Sequence, residues 1–123
     1  MKVRRLLASV VALSLLAVAC SSEAEPLVSA DPDAAAFDYD YLIPVGTADR
    51  ISDGEPVEIL PAELAVRVGE VIRIVNEDDE GHFVGIFYVG AGETVTQRFT
   101  SVGEFVGNCT VHPSGTLTLE VRE

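Results

Sequence analysis

Glu63-Leu64-Ala65-Val66-Arg67-Val68, then Gly69-Glu70, then Val71-Ile72-Arg73-Ile74-Val75 carries the plainest structural signal in the chain. Leu64, Val66 and Val68 alternate with Glu63, Ala65 and Arg67. A period of two turns successive side chains to opposite faces, so this run predicts a strand with three apolar residues inward and a solvated outer face. Gly69-Glu70 reads as a tight turn, after which Val71 to Val75 runs back with Ile72 and Ile74 facing the core.

The same signature repeats outward in both directions. Asp38 to Ile43 alternates Tyr39, Tyr41 and Ile43 against Asp38, Asp40 and Leu42, and Pro44 stops it. Gly46 to Pro56 reads as a polar loop, Val57 to Leu60 as a short strand closed by Pro61, and Asn76 to Gly81 as an acidic loop. His82 to Val89 reads as one apolar strand bent at Gly85; Glu93 to Phe99, Gly103 to Cys109 and Thr116 to Arg122 follow. Short β-branched and aromatic runs bounded by Gly, Pro, Asp and Asn, with no helical period after residue 37, predict an all-β sandwich or barrel of seven to eight strands.

The N-terminus has a different character. Lys2, Arg4 and Arg5 precede an apolar run, Leu6 to Ala19, and then Cys20-Ser21-Ser22. This is the pattern of a secretory signal over residues 1–19, and the run falls short of the ~20 residues that a membrane span needs. Leu16-Ala17-Val18-Ala19-Cys20 also resembles a bacterial lipoprotein processing box, although Ala17 stands where Leu is preferred. The expectation is lipidation of Cys20, anchorage to the outer face of the bacterial cytoplasmic membrane, and attachment to the membrane through that lipid only. Residues 20–37, rich in Ala, Asp, Glu, Ser and Pro, read as a disordered tether, and residues 38–123 as the folded domain, a monomer.

The 123 residues carry 20 Asp and Glu against 8 Lys and Arg, a formal charge of −12. Removing residues 1–19 takes away the chain's one lysine and two of its arginines, leaving the remainder more acidic still. Such a surface repels nucleic acid and anionic headgroups and favours a basic partner. With Cys20 lipidated, Cys109 has no disulfide partner, and a lone thiol in an oxidising compartment must be buried or bound to a metal.

The chain holds two histidines, His82 and His112, the second in Cys109-Thr110-Val111-His112-Pro113-Ser114-Gly115. One thiolate and two imidazoles form a soft, nitrogen-rich set that suits copper in a trigonal site. Strand alternation puts Phe105, Gly107 and Cys109 on one face, pointing into the core, and carries His112 across a turn held by Pro113 and Gly115. The competing reading makes Cys109 a small core residue, His82 a hydrogen-bonded buried histidine and His112 a surface one.

The spacing of Pro61, Leu64, Val66, Gly69, Ile72, Asn76 and Asp78, then His82, then Gly92, Phe99, Gly103 and Phe105, then Cys109, His112 and Gly115 resembles the cupredoxins, the small blue-copper proteins, well over residues 57–123 and loosely over 39–44. The resemblance implies a Greek-key β-sandwich or barrel and one copper ion, cycling between Cu(I) and Cu(II), on His82, Cys109 and His112. It also implies that the edge of the His112 ring is the electron port. The pattern departs from the family in three places. No Met follows His112; Leu117 cannot coordinate, so the axial position is empty, taken by the carbonyl of Gly81, or by Glu80. Phe83 replaces an Asn, so the support that Asn gives to the cysteine loop must come from Asn76 or Thr110, with Pro113 shaping the turn. Gly107 replaces an aromatic, leaving Phe83 or Phe87 to cover the metal. An axial position left without a ligand is expected to raise the reduction potential.

A fixed three-ligand set favours electron transfer over catalysis, because catalytic copper needs an open position or further histidines. Two histidines exclude a multicopper oxidase centre and a type 2 nitrite reductase site, and the lack of Cys-x-x-x-Cys excludes a binuclear copper centre. The expected function is therefore one-electron transfer in the cell envelope, by a protein that is not an enzyme, with a redox partner such as a basic cytochrome or an oxidase. Glu77 to Glu80 could assist that docking, although charged loops more often simply face water. The alternatives are a copper-delivery protein of the envelope and a metal-free cupredoxin-like interaction module.

Overall fold

The computed structural model describes residues 26–123. The expected signal peptide and Cys20 lie outside the described residues. The described residues form nine strands and one short helix, in chain order: β1 Val28–Ala30, β2 Tyr39–Ile43, α1 Thr47–Ser52, β3 Glu63–Arg67, β4 Val71–Asn76, β5 His82–Val84, β6 Phe87–Val89, β7 Thr94–Phe99, β8 Gly103–Asn108 and β9 Thr116–Arg122. Among the described residues no helix is long and apolar enough to cross a membrane.

The strands form a sheet ordered β1-β7-β4-β2, a second ordered β3-β9-β8, and the β5-β6 hairpin. Both sheets feed one core. Ile43, Ile72, Ile74 and Phe99 from the first meet Leu64, Val66, Leu117, Leu119 and Val121 from the second, and none of these is more than 6% exposed. The all-β sandwich expected from the alternating pattern is the fold. Removing this apolar area from water is its main driving force, about 25 cal/mol per Å².

The stretch from Glu63 to Val75 forms both its strands, but they do not pair with each other. β3 runs parallel to β9, while β4 runs parallel to β2 and antiparallel to β7. The turn at Gly69, whose φ of +93° suits glycine, carries the chain from one sheet to the other. Alternation cannot distinguish a hairpin from such a crossing, since each buries every second residue. Val68, expected inward, lies beyond the end of β3 and is 43% exposed.

Four other local expectations are corrected. Val28 to Ala30, within the stretch expected to be a tether, pairs antiparallel with Gln97 to Phe99 as an edge strand. Val57 to Leu60 is not a strand, although Ile59 N–H donates to the carbonyl of Val111 (3.0 Å) and ties this segment to the cysteine loop. The single bent strand expected over His82 to Val89 is a hairpin, β5 and β6, with Gly85 at φ +61° in its turn. The loop expected over Gly46 to Pro56 contains α1.

That helix has six residues, too few to show a period. Its entry is fixed from elsewhere in the chain: the N–H groups of Gly46 and Ala48 donate to the carboxylate of Asp78, at 3.0 and 2.8 Å. Two of the orphan donors at the helix start are thus satisfied by a side chain about thirty residues away.

Candidate metal centre

The loop from Cys109 to Gly115 connects β8 to β9 and closes on itself. Cys109 N–H donates to the carbonyl of Gly115 (2.9 Å), Gly115 N–H donates to that of His112 (3.0 Å), and Gly115 takes φ +74°. β5 lies alongside the start of this loop. Val84 and Cys109 form an antiparallel bridge, flanked by Gly85 N–H to the Asn108 carbonyl (2.7 Å) and Thr110 N–H to the Phe83 carbonyl (2.9 Å). This is a pair of opposed residues without hydrogen bonds between them, the closer of the two antiparallel spacings. His82 lies two residues before Val84 and is therefore the diagonal neighbour of Cys109 on the inward face. Both are buried, at 3% and 1% exposure.

His82 is held at both ring nitrogens. Nε2 lies 2.8 Å from Asp78 Oδ2, and Nδ1 lies 3.1 Å from Thr110 Oγ1. Asp78 is itself buried and accepts three backbone N–H groups, from Gly46, Ala48 and Asp79. Burial alone would raise its pKa, but the hydrogen bonds from His82 and these amides outweigh it and bring the carboxyl down to about 2. In the neutral imidazole, a proton donated from Nε2 to Asp78 leaves Nδ1 as the acceptor nitrogen. In the sequence Asp78 belongs to the acidic loop and to the cupredoxin-like spacing but is given no role at the site; its position four residues before His82 is the signal for that role.

Cys109 carries a free thiol. Burial pushes its pKa up, against a backbone hydrogen bond from Val111 that pulls it down. His112, expected to reach solvent by its ring edge, is partly buried. Its Nδ1 accepts from the Ser114 N–H (3.0 Å) and lies 2.8 Å from Ser114 Oγ, while Nε2 is 3.9 Å from Glu58 Oε1. Cys109 and His112 line one cleft of about 600 Å³, walled by Ile51, Pro56, Phe83 and Pro113. His82 does not line it. Among the described residues, no three His, Cys, Asp or Glu side chains are grouped closely enough to hold a metal ion.

The other expected site residues divide clearly. Thr110 Oγ1 accepts from Phe83 N–H (3.2 Å) and meets His82 Nδ1, so it links the cysteine loop to β5. Asn76 does not reach the cysteine loop: its amide donates toward the carbonyls of Glu80, Val89 and Gly90, and its oxygen accepts from Asp78 N–H, so it shapes the acidic loop. The Glu80 side chain faces water. Gly81 lies under the Tyr88 hydroxyl, where a Cβ would collide. Leu117 is buried against Gly85.

The aromatic residues differ from expectation. Phe105, on the inward face opposite Leu119, is 37% exposed because β8 is the free edge of its sheet, and its ring lies over Gly107. Phe105 therefore does not enter the core with Cys109. Phe83 is 47% exposed at the cleft and stacks at a tilt on Tyr88, their ring centroids 5.0 Å apart, whereas Phe87 is a core residue.

The donor set fits copper by type: one thiol, two imidazoles, and a carboxylate on the outer nitrogen of His82, the arrangement that orients a ligating histidine. The obstacle is local, because the Nδ1 lone pairs of His82 and His112 are met by Thr110 and Ser114.

No protein-family model matches the chain, and no curated protein matches it. Among solved structures it is similar to cupredoxins. A mutant amicyanin in its reduced Cu(I) form at pH 4 is 17% identical, with 79% of this chain and 100% of that one covered and a TM-score of 0.48. Amicyanin from Paracoccus versutus is 16% identical, with 80% and 100% covered and a TM-score of 0.47. A purple cupredoxin from Nitrosopumilus maritimus is 20% identical, with 69% and 100% covered and a TM-score of 0.44.

Proposed function

We propose that the chain is a copper-binding, one-electron transfer protein of the bacterial cell envelope, with His82, Cys109 and His112 as its metal ligands. The observation that carries this reading is the cross-strand placement of His82 beside Cys109, with the outer nitrogen of His82 already bound to a buried, ionised carboxylate. Copper bound there would supply a Cu(I)/Cu(II) couple.

The remaining work falls to the chain's own residues. Asp78 holds the His82 proton at Nε2 and keeps Nδ1 available. The hydrogen bonds across the Cys109 loop fix the thiol, and burial shields it from oxidants. His112, at the cleft, is the residue through which an electron would pass to a partner. The excess of acidic residues favours a basic partner, such as a cytochrome. The axial position is read as empty or taken by backbone oxygen, since no thioether follows His112. Lipidated Cys20 would hold the protein at the membrane, and radiolabelled palmitate incorporated by the wild type but not by Cys20→Ser would test that anchor.

Electron self-exchange of the copper-loaded protein tests the carrier reading. Rapid exchange is expected, whereas slow exchange with tight Cu(I) retention would identify a delivery protein instead. The metal-free interaction module has one observation in its favour: every ring nitrogen of His82 and the Nδ1 of His112 already have partners within the protein. Equilibrium dialysis separates it from both copper readings, since it would retain no copper where they require one ion per chain.

A further inference from the structure

Thr110 Oγ1 is close to three polar atoms at once: His82 Nδ1 at 3.1 Å, Phe83 N at 3.2 Å and Phe83 O at 3.4 Å. A hydroxyl has one proton to give. The Phe83 N–H donates to the oxygen, so that proton has two competing acceptors, the lone pair of His82 Nδ1 and the carbonyl of Phe83. In the neutral imidazole the proton shared with Asp78 sits on Nε2, so Nδ1 is an acceptor and the shorter contact takes the hydroxyl proton.

We propose that Thr110 is a latch on His82: its hydroxyl caps Nδ1 in the metal-free protein and rotates to the Phe83 carbonyl when a metal ion engages that nitrogen. The inference rests on the copper reading above and adds to it a residue that sets the ease of metal entry. Rotation about one side-chain bond moves a proton between two acceptors. No bond breaks, and the Phe83 N–H contact is kept in both positions. The latch holds the imidazole in its ligating orientation while the site is empty of metal, and metal binding must displace one hydrogen bond. A hydrogen bond of net worth about 0.5–1.5 kcal/mol corresponds to a roughly two- to tenfold penalty on metal affinity.

The test compares the full chain with Thr110→Val, which keeps the shape and removes the hydroxyl, and with Thr110→Ser, which keeps the hydroxyl. Nitrogen-15 chemical shifts of His82 in the metal-free wild type should report an Nε2–H tautomer with Nδ1 accepting a hydrogen bond. Thr110→Ser should match it, and Thr110→Val should show a bare Nδ1. Competition with a chromophoric Cu(I) chelator should give Thr110→Val a two- to tenfold higher affinity than the wild type.

Equal copper affinity in the wild type and Thr110→Val, or lower affinity in the variant, overturns the latch and leaves the copper site standing. A wild-type His82 carrying its proton on Nδ1 also overturns the latch, and this needs no variant to fold. Failure of the wild type and both variants to take copper overturns the copper reading, and the latch with it.

Discussion

Asp78 and His82 are joined side chain to side chain, Oδ2 to Nε2 at 2.8 Å, with each side chain 4% exposed. One carboxylate thereby ties the candidate ligand to the N–H groups of Gly46 and Ala48 at the start of α1. Since α1 contributes Ile51 to the cleft wall, a single buried anion sets both the imidazole orientation and the position of that wall.

Asp78→Asn should therefore cost more than an ordinary loop substitution. The amide keeps an acceptor oxygen but loses the charge, and its NH₂ faces backbone N–H donors. The expected loss is about 1–3 kcal/mol in urea denaturation at neutral pH, together with weaker copper binding.

Acid should act through the same residue. The folded-state pKa of Asp78 is depressed from 3.8 to about 2, so its contribution is complete above the unfolded value and is lost as pH falls through the folded one. Roughly 2 kcal/mol of stability should disappear between about pH 4 and pH 2. Urea midpoints across that range should fall steeply in the wild type and less so in Asp78→Asn; equal slopes would show that another carboxylate dominates.

Gly85 is the position at which the hairpin beside the cysteine is most sensitive. Its φ is +61°, and a Cβ there would lie 2.9 Å from Leu117 Cδ2. Gly85→Ala should destabilise the protein by about 1–3 kcal/mol through backbone strain and overpacking. Leu117→Ala, which opens a cavity in the core, should cost about 2–5 kcal/mol. Thermal unfolding of the two variants measures both.

The buried thiol should be inert while the protein is folded. Cys109 is 1% exposed and burial raises its pKa, so the reactive thiolate is scarce and shielded. A disulfide reagent should modify it slowly in native, metal-free protein and rapidly in urea.

Period-two alternation in β2, β3, β4 and β9 made the fold legible, because each of these strands buries one face against a single core. Sheet membership was not legible. Nothing local in Gly69-Glu70 tells whether the chain returns to the same sheet, and that depends on β9 and β7 arriving later in the sequence. β1 and α1 escaped for a similar reason, one being held by pairing with β7 and the other by Asp78. Alternation places both Cys109 and Phe105 inward; it holds for Cys109 and fails for Phe105, whose exposure follows from β8 being a sheet edge. The partners of the two imidazoles come from Thr110, Asp78 and Ser114, and among these only Thr110 is given a supporting role at the site by the sequence.

If His82, Cys109 and His112 close around one copper ion, the optical spectrum of the purified protein after addition of Cu(II) will show it. Intense thiolate-to-copper absorption in the visible, abolished by Cys109→Ser, is expected; a colourless protein that fails to retain copper would rule the copper site out.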